Sequence, residues 1–113
     1  ALGKLVGNCH RIPQQEFSKR LLTVEEIVAG IADTMKQLLH VNPNIRIVFS
    51  VSPVRYFSFG IHENQLGKAT LLLALHQLQQ KFPDAVYFPA YEIVMDDLRD
   101  YRFMKSDLIH PNE

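Results

Sequence analysis

Ile45-Arg46-Ile47-Val48-Phe49-Ser50-Val51 is the stretch whose reading decides the fold. It is rich in β-branched residues and mostly apolar on both faces, whereas a half-solvated strand alternates between apolar and polar. Such a run suits the middle of a parallel sheet covered on both sides, more than an antiparallel ribbon. Asn42-Pro43-Asn44 supplies the turn before it, and Ser52-Pro53 ends it.

Helical patterns flank this run. Thr23-Val24-Glu25-Glu26 is a capping box: the threonine oxygen takes a first-turn amide proton and Glu26 reaches back. Val24, Ile27, Val28, Ile31, Met35, Leu38 and Leu39 then recur at helical spacing, which predicts a helix over residues 24 to about 40. Gly30 lies inside it at a cost of about 1 kcal/mol relative to alanine, and close packing on a sheet is the expected reason. Beyond the central run, residues 55–62 form an aromatic loop with Gly60, and residues 63 to about 82 read as a second helix stopped by Pro83-Asp84. Apolar residues cover much of that helix's circumference, which predicts thorough burial. Residues 85–88 form a short strand ended by Pro89, and residues 91 to about 101 are helical, with Tyr91, Val94, Met95 and Leu98 on one side.

At the other end, residues 2–6 read as a short strand stopped by Gly7-Asn8, and residues 9–22 as a connecting loop. Strand and helix therefore alternate three times, the signature of βαβ units and a parallel sheet with helices on its faces. The expected architecture is an α/β fold, a three-layer α/β/α arrangement with residues 45–51 central. Three strands are few for this architecture. Residues 1–113 accordingly read as part of one doubly wound domain, incomplete at both ends, with an apolar sheet edge or face left open to self-association.

Composition narrows the function classes. Lys plus Arg and Asp plus Glu both number 12, so no bulk basicity points to nucleic acid or an anionic membrane. The longest apolar run, residues 71–75, is far too short to span a bilayer. Cys9 has no second cysteine to pair with, which favours a reducing compartment such as the cytoplasm. No cofactor motif survives inspection. Six residues separate Gly60 from Gly67-Lys68-Ala69-Thr70 where a phosphate loop needs four, and Ala69 stands where a magnesium-binding hydroxyl belongs. His62-Glu63 lacks the second histidine of a zinc helix, Cys9-His10 lacks a partner pair, and Asp96, Asp97 and Asp100 interleave with Arg99 and Arg102 as a solvated helix face does.

Asp107-Leu108-Ile109-His110-Pro111 carries the one chemical signal. Aspartate three residues before histidine, beyond the last strand of a parallel α/β chain, lies where the loops of such sheets build their sites. The pair can serve as the base half of a Ser-His-Asp hydrolase. The alternative is a surface loop whose aspartate caps the next turn. Arg55, directly after the central strand, and Asn64, at the opening of the second helix, belong on the same rim, where arginine binds carboxylate or phosphate and a helix start attracts anions. A structural arginine is the competing reading of Arg55.

Gly7-Asn8-Cys9-His10-Arg11-Ile12-Pro13, Leu22-Thr23-Val24-Glu25-Glu26-Ile27, Val51-Ser52-Pro53-Val54-Arg55, Asn64-Gln65-Leu66-Gly67-Lys68-Ala69-Thr70-Leu71-Leu72 and the block from Tyr91 to Phe103 together resemble the GSCFA family, within the broader SGNH (GDSL-like) hydrolases. The resemblance implies a flavodoxin-like sandwich, with His110 as base and Asp107 as its orienting partner. Asn8 and His10 are substrate-binding candidates beside Arg55 and Asn64, and neither metal nor cofactor is expected. The family's nucleophile is the serine of its Gly-Ser-Cys-Phe-Ala motif, which is not in these residues. The resulting expectation is hydrolysis or transfer of an ester-linked acyl group on a lipid or glycan by a serine outside them. A non-catalytic binding module using Tyr56, Phe57 and Phe59 is the alternative.

Overall fold

The computed structural model describes residues 12–13, 15, 17–56, 60–98 and 103–112. The predicted strand at residues 2–6, Cys9, the site candidates Asn8 and His10, the aromatics Phe57 and Phe59, and residues 99–102 of the predicted third helix lie outside them.

Helix α1 spans Val24–Val41 and begins at the predicted cap. Thr23 Oγ1 accepts the Glu26 amide at 3.2 Å, and the Thr23 amide donates to Glu26 Oε2 at 2.9 Å. Arg20 adds two bonds to the same carboxylate, at 2.7 and 2.6 Å. The Arg20 bonds first, then the Thr23 amide, hold the Glu26 carboxyl at about 2.

Strand β1, Val48–Phe49, pairs parallel with β2, Val86–Tyr87, in the register Val48↔Val86 and Phe49↔Tyr87. The parallel pairing agrees with the expectation from residues 45–51, but the regular strand is shorter than that run. Its start is taken by the turn, where Ile45 N donates to Asn42 O. Its end is taken by Ser52, whose Oγ accepts the Val54 amide at 3.2 Å. Helix α2, Ile61–Lys81, connects the strands. Helix α3, Ala90–Glu92, follows β2 and widens into a π-helical turn over Ile93–Asp97, closed by Leu98 N donating to Ile93 O.

The core forms where α1 and α2 meet one face of this sheet. Val28, Ala32 and Met35 of α1 pack with Ala74, Leu75 and Leu78 of α2 and with Val51 and Ala85. Ile47, Phe49 and Tyr87 point from the sheet into the same cluster. Alternation sends the intervening residues outward: Val48 and Val86 are 64% and 57% exposed. Among the described residues the molecule is therefore a mixed α/β unit with helices over one sheet face. A further helical layer over Val48 and Val86 is not seen there.

Two local expectations need correction. Helix α2 buries only Ala74, Leu75 and Leu78, while Leu66, Leu71 and Leu73 are exposed. Apolar residues over much of a helix's circumference do not specify which side faces inward, and among the described residues only the side against α1 and β2 is covered. Gly30 does not approach the sheet: a Cβ built there meets nothing within 4 Å. Replacing Gly30 by alanine should therefore raise stability by about 1 kcal/mol, through helix propensity alone. Urea unfolding checks this, and a destabilised variant would show a contact the structure lacks.

Candidate active site at the carboxyl end of the sheet

Residues 103–112 fold back on themselves. Asn112 N donates to Phe103 O at 2.9 Å and Lys105 N to His110 O at 2.8 Å, and Met104 and Pro111 form an antiparallel bridge. Pro111 thus closes a hairpin-like loop. Inside the loop Leu108 is left-handed, with φ of 55°, at a cost of about 1–2 kcal/mol for a residue with a Cβ.

Asp107 holds this turn together. Its Oδ1 accepts the amides of Ile109 at 2.9 Å and His110 at 3.1 Å. Its Oδ2 lies 2.7 Å from His110 Nδ1. The histidine first, then the two amides, lower the Asp107 carboxyl to about 2. An ionised carboxylate is an acceptor only, so Nδ1 carries the proton of this bond. In neutral His110 the lone pair then sits on Nε2. The two side chains are 52% and 43% exposed, so the pair contributes little to stability and its value is positional.

Arg55 connects the loop to the sheet. Its Nη1 donates to Leu108 O at 3.1 Å and its amide to Ile109 O at 3.5 Å. The structure thus joins Arg55, Asp107 and His110 in one cluster, with Arg55 gripping the backbone between the acid and the base. Asn64 is one step away. It lies in the first turn of α2, and its Oδ1 accepts the Tyr56 amide at 2.8 Å. The α2 cap before it is Gly60, whose φ of 96° suits glycine.

Lys68 also stands on this rim, although Gly67-Lys68 reads in the sequence only as a broken phosphate loop. Residues 67–70 lie well inside α2, so no loop exists there. The available signal was periodicity: Asn64 and Lys68 are four apart and share a helix face. Lys68 Nζ donates to Ser52 O and sits 6.0 Å from the Tyr91 ring centre, and burial lowers its pKa. Tyr91 in turn donates to Gln65 Oε1 at 3.1 Å. Tyr87 donates to both oxygens of Glu92, at 2.9 and 2.8 Å, and burial with that carboxylate pushes its phenol up to about 12. These ties join α2, α3 and both strand ends into one rim.

No group of three His, Cys, Asp or Glu side chains that would hold a metal occurs among the described residues. No helix there is long and apolar enough to cross a membrane. The GSCFA family model matches residues 1–113, and the chain belongs to the GSCFA family. No curated protein and no solved structure matches it.

Because the folded carboxyl titrates below its ordinary value, Asp107 favours the folded loop above about pH 4. That contribution is lost as pH falls toward about 2. Carbon-13 NMR of the Asp107 carboxyl should give that low midpoint, and His110→Ala should move it upward toward about 3.9. A midpoint unmoved by the substitution would contradict the pairing.

Proposed function

We propose that the chain carries the base half of a serine ester hydrolase or acyltransferase of the SGNH type, acting on an acylated lipid or glycan. In this reading its nucleophilic serine is supplied from outside these 113 residues. The observation that carries it is the Asp107–His110 pair, bonded through Nδ1 at 2.7 Å and tied to the loop after β1 by Arg55. His110 Nε2 takes the serine proton as the hydroxyl attacks the ester carbonyl, and returns it to the leaving alcohol. Asp107 fixes the tautomer and stabilises the imidazolium, remaining ionised throughout. Arg55 is a positioning residue in this scheme: it acts on the loop that aims the imidazole.

The test is turnover of aryl acyl esters by the longer polypeptide that contributes the serine. His110→Ala should lower kcat by about 10⁴-fold or more, with little change in Tm because the side chain is half exposed. Asp107→Asn should lose less. Arg55→Met should lower kcat while leaving KM nearly unchanged, since a misaimed imidazole weakens the transition state and not ground-state binding. A His110→Ala enzyme with unreduced turnover would remove the proposal. A raised KM with unchanged kcat in Arg55→Met would return that residue to substrate binding.

A further inference from the structure

Beside this rim lies a cleft of 290 Å³ between the approach to α1 and one side of α2. Ligand pockets commonly span about 300–1,000 Å³, so its occupant is small. Its walls are apolar: Leu21, Leu22 and Ile27 face Leu71 across it. Gly67 keeps its floor open, since a Cβ built there already comes within 3.9 Å of Leu21 Cδ2. Leu21 and Leu22 are 45% and 52% exposed, apolar surface that the described structure leaves uncovered.

The charges around this cleft are unequal in what they have left to offer. Arg20 is engaged twice by Glu26. The Glu63 carboxylate turns back over Gly60, 3.0 Å from where a Cβ would stand. Lys68 is half-buried, and its ammonium bonds to a neutral carbonyl, that of Ser52. Among the described residues no carboxylate pairs with it. An apolar slot with a cation of this kind is complementary to a short amphiphilic anion. Tyr56 also lines the cleft and directly follows Arg55, which grips the Asp107–His110 loop.

We propose that this cleft seats a short unbranched acyl chain, with the carboxyl end at Lys68. The inference names the acyl part of the ester substrate and to that extent rests on the hydrolase reading, but occupancy of the cleft is measured without turnover.

The experiment is calorimetric titration of the protein with sodium octanoate and, separately, 1-octanol. Both should bind saturably in wild type. Gly67→Leu fills the cleft from a helix interior that tolerates leucine, so both ligands should lose binding with Tm maintained. Leu22→Asp, at a half-exposed wall position, should likewise expel octanoate. Lys68→Met keeps the apolar stem and removes the charge, so octanoate should weaken about tenfold or more while 1-octanol is unchanged. Absence of octanoate binding in wild type overturns the proposal, as does binding that survives both Gly67→Leu and Leu22→Asp. Equal octanoate affinity in Lys68→Met overturns the role of Lys68. A longer polypeptide that contributes the serine and shows this binding pattern, yet cleaves no octanoyl ester, keeps the cleft and loses the hydrolase reading. One that cleaves esters equally well with and without Gly67→Leu does the reverse.

Discussion

Arg55 joins two parts of the chain that lie 53 positions apart, and the candidate site depends on that contact. The Asp107–His110 turn is small, solvent-exposed and built around a left-handed leucine. Local bonds from Asp107 can hold its shape but cannot fix its place on the molecule. Place comes from the guanidinium on the Leu108 carbonyl and the Arg55 amide on the Ile109 carbonyl. Arg55 itself is placed by β1, because only a few residues separate it from the parallel pairing with β2. The buried contact of Val51 with α1 and α2 thus positions the chemistry through one short loop.

Polar ties finish the rim. Lys68 on the Ser52 carbonyl, Asn64 on the Tyr56 amide and Tyr91 on Gln65 each fasten a loop or helix end to α2. Each such bond contributes only about 1 kcal/mol net. Together they restrict the loop after β1 at several points, and precision matters more than stability for an acid–base pair this exposed.

Much of the fold was legible wherever local chemistry and long-range packing agree. The capping box at Thr23 and Glu26 and the apolar stripe behind it located α1 to within a residue at its end. The two-sided apolar run at residues 45–51 indicated the parallel pairing of β1. Legibility failed where the pattern was silent about direction. Apolar residues over much of the α2 circumference did not say which three positions would be buried, and Gly30 looked like a packing glycine when its side of α1 faces open space. The π-helical turn after α3 follows no propensity visible in Ile93–Asp97. At the site, the spacing of Asp107 and His110 was readable because three residues make one turn. The grip of Arg55 was not, since a donor to a backbone carbonyl leaves no trace in residue type. Charge and position offered Arg55 as an anion binder or as a structural arginine, and neither reading pointed to the Leu108 carbonyl. Lys68 was hidden by a motif it resembled and does not form.

The account turns on which nitrogen of His110 carries the proton. Nitrogen-15 NMR of the neutral imidazole measures this directly in the protein as it stands. An ionised Asp107 at 2.7 Å requires the proton on Nδ1, leaving Nε2 as the basic nitrogen. The predicted spectrum is therefore that of the Nδ1–H tautomer, with Asp107→Asn weakening the preference. A predominant Nε2–H tautomer would put a lone pair against the carboxylate, and would contradict both the pairing and the role given to His110.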